Sequence, residues 1–231
     1  MTETAIFFGG PGQLPPERHP TGFYKVRIQE PVTVGREGLV GDHQADRRVH
    51  GGPDRAVNHY PADHLPAWQA AYPAAAERFV PGAFGENLST LGWLERNVAI
   101  GDRFALGDCL LEVAQPRFPC WKVDRRFDCN QLARAMMESG RSGWLYRVIE
   151  PGTIRDGDRL ERVARHPAQL TVDELWDLHR EPRASMERMG LAAELPELAA
   201  AWRDRFSQRL EWLRRQRNAS DDGTDGTRGT R

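Results

Sequence analysis

The 231-residue chain carries 32 basic and 33 acidic side chains, a formal net charge of −1, which excludes the basic footprint of a nucleic-acid binder or an anionic-membrane binder. No apolar run approaches the length of a membrane span. The opening MTETAIFFGGPGQLPPERHP has neither a basic start nor a long apolar stretch, so the expectation is a cytoplasmic protein without membrane contact. Cys109, Cys120 and Cys129, spaced by eleven and nine residues, fit neither a disulfide framework nor a CxxC zinc pattern. An odd count with no leader predicts reduced thiols.

From Gly22 to about Arg162 the signals are short strands separated by Gly-Asp and Pro-Gly turns. GFYKVRIQEPVTVG alternates, placing Tyr24, Val26 and Ile28 on one face before resuming at Val32 and Val34. VAIGDRFALGDCLLEVAQP predicts strands around Gly101-Asp102 and Gly107-Asp108, with Phe104, Leu106, Leu111 and Val113 inward. WLYRVIEPGTIRDGDRLERV adds another strand and two turns. Two helices interrupt this texture. PADHLPAWQAAYPAAAERF aligns Leu65, Trp68 and Tyr72, and DCNQLARAMMESG stops at Gly140, a left-handed cap residue. The pattern predicts a mostly β fold, a barrel or sandwich with added helices.

After Ala164 the period becomes helical. Thr171 and Glu174 form a capping-box pattern ahead of Val172, Leu175, Trp176 and His179. Pro182 ends that helix, SMERMG starts a second, and ELPELAAAWRDRFSQRLEWLRR reads as a long third. The expected organisation is a barrel domain over residues 1–164, a small three-helix bundle over 165–215 and a disordered polar tail over 216–231.

Three stretches carry chemistry. In GLVGDHQADRRVHGGPDRAVNHY (residues 38–60), Gly51 and Gly52 allow close backbone approach or positive φ, flanked by His50, Asp54 and Arg55. That set either grips a phosphate or polar heterocycle, or forms a tight turn with a charged rim. His43, His50 and His59 match no zinc-site spacing. In PGAFGENLSTLGW, Glu86 and Asn87 are either ligand hydrogen-bonding groups or turn residues. In AQPRFPCWKVDRRF, Cys120 follows Pro119 and lies between Arg117 and Lys122. A buried inert thiol is one reading. The other is a ligating thiolate favoured by the cations and held by Pro116 and Pro119. Cys109 and Cys129 are read as packing residues.

Taken in order, these three stretches, with TGFYK upstream and the helical segment downstream, resemble the MOSC family, the molybdenum-cofactor sulfurase C-terminal domain, in its small bacterial YiiM-like branch. The resemblance covers about residues 5–215. It implies a MOSC-type β-barrel followed by a small three-helix bundle, binding the molybdenum cofactor (molybdopterin) with Cys120 as the metal ligand. The residues it marks for pterin and phosphate are Lys25, His50, Gly51, Gly52, Arg55, Asn87, Arg117 and Lys122, with Asp54 and Glu86 read as orienting Arg55, His50 or a substrate amine. The activity it implies is reduction of N-hydroxylated purines and related hydroxylamines to amines, with His50 or Lys25 delivering the proton. No flavin, haem or iron–sulfur signature is present, so electrons would come from an external donor of the flavoprotein reductase class. The competing reading is a sulfur carrier or cofactor-handling protein with a persulfide on Cys120. Nucleic-acid docking by WRDRFSQRLEWLRRQR is disfavoured by its acidic residues and apolar stripe.

Overall fold

The computed structural model describes residues 2–43 and 51–222. In chain order the strands are β1 (Thr2–Glu3), β2 (Ala5–Phe8), β3 (Gly12–Leu14), β4 (His19–Thr21), β5 (Val26–Arg27), β6 (Val32–Gly35) and β7 (Gly38–Leu39). They continue as β8 (Val57–Pro61), β9 (Leu88–Thr90), β10 (Arg103–Leu106), β11 (Cys109–Pro116), β12 (Trp144–Glu150), β13 (Gly152–Ile154) and β14 (Arg159–Ala164). Helices α1 (Leu65–Ala71), α2 (Lys122–Phe127) and α3 (Leu132–Ser139) lie between strands; α4 (Val172–Arg180), α5 (Met186–Glu194) and α6 (Ala200–Asp222) follow them.

A curled half-barrel sheet runs in the order β1-β14-β10-β11-β12-β8-β9-β2-β5. Its neighbours are antiparallel except β8 and β9, which pair in parallel with His59 opposite Leu88. Parallel pairing needs a crossover, and α1 with its flanking 3-10 turns supplies it. Period-two alternation buries Phe104, Leu106, Leu111 and Val113 as expected, with Tyr146 and Val148 from β12. Below the crossover a second cluster gathers Phe23, Tyr60, Trp68, Phe79, Phe84 and Phe127. Its rings stack closely, Tyr60 on Phe84 at 4.1 Å and Phe79 on Phe127 at 4.5 Å.

The C-terminal helices close over the barrel. Trp176, Leu198, Trp202 and Phe206 belong to the same buried cluster as Val98, Phe104 and Val113. Backbone bonds join the two parts: Val172 N donates to Val98 O (2.9 Å), and Ala199 N donates to Ala114 O of β11 (2.9 Å). Thr171 caps α4 by accepting from Glu174 N at 3.1 Å.

Four expectations need correction. The alternation expected over GFYKVRI breaks: Tyr24, Val26 and Arg27 are exposed and Ile28 is buried, so the three apolar residues do not share a face, while the Lys25 side chain is 5% exposed and ion-paired to Asp42. The helix expected over residues 61–79 breaks at Tyr72, where Pro73 opens a separate 3-10 segment. The third C-terminal helix starts at Ala200, because Leu195–Ala199 forms a turn tied to β11 through Ala199 N. It then runs to Asp222, through part of the segment expected as a disordered tail. Propagating a helix already nucleated by packed Trp202, Phe206 and Leu210 costs little.

Since barrel and helices share one apolar cluster, Trp176 tests their coupling. It is fully buried and donates from Nε1 to Ser142 Oγ at 2.7 Å. Trp176→Ala is expected to cost about 3–5 kcal/mol. In urea, far-UV and near-UV circular dichroism should shift together to a lower midpoint. Two separated transitions in the wild type would refute the shared core.

Candidate functional site

A pocket of about 330 Å³ opens where the β11–α2 loop, the segment before β5, the crossover and the start of α6 meet. β11 ends at Pro116, and Arg117 N extends the ladder by donating to Gly143 O at 3.0 Å. The chain then alternates. Arg117 is half-buried with its guanidinium turned inward, Phe118 leans outward onto the C-terminal helices, and Cys120 turns back to line the pocket. Pro119 restricts this loop, and Val123 N donates to Cys120 O as α2 begins. The Cys120 thiol is half-buried, with no disulfide.

The structure brings six of the expected residues to this pocket: Lys25, Arg55, Asn87, Arg117, Cys120 and Lys122. His50 lies outside the described residues. Gly51 and Gly52 do not line the pocket. Gly52 instead takes φ 97°, strained for any residue with a Cβ, and turns the chain into the Pro53–Arg55 segment that carries Arg55 to the wall. Asp54 acts on Arg55 through its charge, while its side-chain hydrogen bonds among the described residues go to Arg147. Its Oδ1 accepts from Arg147 Nε and Nη2 at 2.9 and 2.7 Å, on the barrel. Asn87 supplies architecture: its Oδ1 accepts from Asn58 N (3.1 Å), while Nδ2 donates to Asp42 Oδ2 (2.8 Å) and Phe7 O (3.3 Å). Both its donors are spent within the protein.

Sequence reasoning passed over Asp42, although it lies in the quoted 38–60 stretch. It accepts from Lys25 Nζ, from Asn87 Nδ2 and, at 2.9 Å, from Gly9 N. A carboxylate directly after Gly41 was the available signal. Trp202 and Arg205 of α6 were also missed as wall residues. No local motif marks them, because only the tertiary packing of the helices brings them here.

Charge at the site is unbalanced. Lys25, Arg55, Arg117, Lys122 and Arg205 line the pocket, and Asp42 is the carboxylate lining it among the described residues. Arg117 donates from Nη2 to Phe84 O at 2.6 Å, but its buried Nη1 has no partner among the described residues. Burial pushes the Arg117 guanidinium down in pKa, opposed by the charges of Glu86 and Cys120. Burial likewise pushes the Lys25 ammonium below its ordinary 10.5, with the Asp42 ion pair pulling back. Lys122 Nζ donates to Pro20 O at 2.7 Å and bridges α2 to the β4 strand. Asn58 leaves a buried Oδ1 unpartnered at the same wall. Unsatisfied buried donors and acceptors on an electropositive wall suit a polar, anionic ligand.

His43 lines the pocket, whereas His59, Cys109 and Cys129 do not. His59 is fully buried, holds Tyr146 Oη at 3.1 Å and Thr90 Oγ1 at 2.9 Å, and is pushed by burial down to about 3. Cys109 and Cys129 are buried, as expected, and burial raises Cys109 to about 11. Among the described residues no cluster of three His, Cys, Asp or Glu could hold a metal ion.

Glu86 sits behind Arg117, fully buried, with Oε1 accepting from Gly82 N at 2.5 Å and Oε2 unpartnered. Burial pushes it up to about 7, against its backbone donors and Arg117. A raised carboxyl pKa stabilises the fold below the unfolded value near 4.5 and loses that contribution as pH rises towards 7. Glu86→Gln should therefore gain on the wild type between about pH 4.5 and 7, by on the order of 3 kcal/mol at the upper end. Thermal melts across this range check it; a pH-independent difference would refute it.

The barrel and the relatives agree. The MOSC domain model matches residues 46–161. Protein YiiM of Escherichia coli (strain K12) is 44% identical over 167 residues, covering 72% of this chain and 74% of that protein. A protein of Gibberella moniliformis named "Reductase" is 36% identical over 177 residues, 76% of this chain but 31% of its own length. The crystal structure of YiiM from Escherichia coli superposes with a TM-score of 0.76 at 32% identity, covering 90% of this chain and 92% of that one. With half of its residues matched by the family model and a barrel shared with solved relatives, this chain belongs to the MOSC domain family.

Proposed function

We propose that this chain is a molybdenum-cofactor-dependent reductase of N-hydroxylated compounds, converting N-hydroxylated purines and related hydroxylamines to amines. The observation that carries this reading is the meeting of Cys120 with five cations in one pocket whose wall holds an unpartnered guanidinium nitrogen. The donor set fits the cofactor: a soft sulfur ligand for the metal, and buried and rim cations for an anionic, oxygen-rich pterin phosphate. The name of the fungal relative, a reductase, supports the same class.

When bound, the cofactor supplies two-electron, oxygen-accepting chemistry, so that R–NHOH with two electrons and two protons gives R–NH2 and water. The protein's own residues do the rest. Cys120 Sγ would hold the metal, with its loop fixed by Pro119 and by Phe118 packed on the helices. Arg117, Arg55 and Lys122 would bind the phosphate and pterin edges. Asn87 and Asp42 orient Lys25 Nζ, whose lowered pKa suits it to pass a proton to the departing hydroxyl. Electrons would arrive from a separate flavoprotein reductase.

Holo-protein given a chemical electron donor is expected to reduce N-hydroxylaminopurine. Cys120→Ser should lose bound molybdenum and at least about 100-fold in rate, and Lys25→Ala about 10-fold in retained metal. Equal rates for wild type and Cys120→Ser would overturn the mechanism. Little metal together with a cyanide-labile sulfur on Cys120 would make the protein a persulfide carrier instead.

A further inference from the structure

The three C-terminal helices do more than cover the barrel. Ala201, Trp202 and Arg205, on successive turns of α6, form one wall of the pocket that also holds Cys120. Arg205 is exposed, yet its position is defined. Its guanidinium carbon lies over the Phe118 ring at 4.9 Å from the centroid and over Trp202 at 5.7 Å. Phe118 itself is packed against Trp176 at 5.5 Å and Trp202 at 6.1 Å. Stacking uses the face of the planar guanidinium and leaves its in-plane N–H donors for another group.

Among the described residues no carboxylate pairs with Arg205. This contrasts with arginines elsewhere on the fold. Arg147 is shared by Asp54 and Glu112, Arg162 meets Asp102, and Arg188 is held by Glu174. An arginine that is stacked, unneutralised and at the mouth of a cationic pocket is arranged to receive an anion.

We propose that Arg205 is a ligand-binding residue contributed by the C-terminal helices, and that it grips a phosphoryl group of the molecule occupying the pocket. The phosphoryl group belongs either to the bound cofactor or to a phosphorylated substrate such as a nucleotide. Its identity rests on the reductase reading above; the presence of the anion site does not. A site completed by α6 ties ligand binding to correct docking of the helices.

The test uses the full-length chain, with Arg205→Ala and Arg205→Lys compared to wild type, folding checked by circular dichroism and melting. Pyrophosphate is titrated at low salt and followed calorimetrically. Arg205→Ala is expected to weaken pyrophosphate binding by about 10-fold or more, and Arg205→Lys, which keeps charge but not the stacked fork, by about 3-fold. Molybdenum and pterin content is then measured on each purified variant. A fall in parallel with the pyrophosphate loss assigns the site to the cofactor phosphate. Unchanged content, with KM raised for a phosphorylated N-hydroxylated nucleotide but not for the free base, assigns it to substrate. Wild-type protein without saturable pyrophosphate binding, or Arg205→Ala with unaltered affinity, overturns the proposal. If the Cys120→Ser comparison fails while the Arg205 effect stands, the anion site survives without the reductase mechanism.

Discussion

A guanidinium withdrawn from water organises the site. Arg117, the residue after β11, is half-buried with its guanidinium turned inward, where desolvating a cation is expensive unless its donors and charge are met. The protein meets them only in part: one nitrogen reaches the Phe84 carbonyl, Glu86 lies behind it in the electrostatic field, and the second terminal nitrogen stays unpaired. Phe23, Tyr60, Phe84 and Phe127 surround this floor with apolar rings, so the local dielectric is low and an incoming anion is felt strongly. The unpaired nitrogen is therefore the part of the floor that a bound anionic group would complete.

The same constraint explains why the loop after β11 holds its shape. With Arg117 committed inward, period-two geometry sends Phe118 outward, onto Trp176, His179 and Trp202. Cys120 then returns to the pocket. Cys120 is thus positioned from two sides, by a polar anchor inside the barrel and an aromatic anchor on the helices. The bond from Ala199 N to Ala114 O places the start of α6 beside the strand that carries the loop. Loop, strand and helices behave as one assembly.

Local patterns were legible where they report local physics. Alternation identified the β10 and β11 core faces, Thr171 marked a helix start, and Gly140 marked a helix end, its φ of 73° confirming the left-handed cap. The ordered motifs brought Lys25, Arg55, Asn87, Arg117, Cys120 and Lys122 to one pocket. The failures share a cause. Tyr24, Val26 and Ile28 looked like one face because they alternate, but Ile28 alone is buried, and Lys25 turns in to an ion pair with Asp42, distant in sequence. Asp54 looked like a partner for its neighbour Arg55 until the fold brought Arg147 to it. Arg205 stands more than eighty residues from Cys120 in the chain, so nothing in either local motif joins them.

The electrostatics of the pocket are likewise hidden in a chain with a net charge of −1. Its positive field does not come from an excess of cations. It comes from how the carboxylates are allocated: Glu112 to Arg103 and Arg147, Asp102 to Arg162, Glu95 to His64, Asp156 to Arg27. Each of those pairs fixes one part of the scaffold to another, and none of these carboxylates lines the pocket. Asp42 remains in the pocket, but Gly9, Lys25 and Asn87 occupy its oxygens. A concave wall lined by five cations and backed by apolar rings focuses its field inside the pocket, where dissolved salt screens it less than at the open surface. Among the described residues Asp42 is thus the carboxylate left facing the five pocket cations, because the other acids named here are paired elsewhere on the fold.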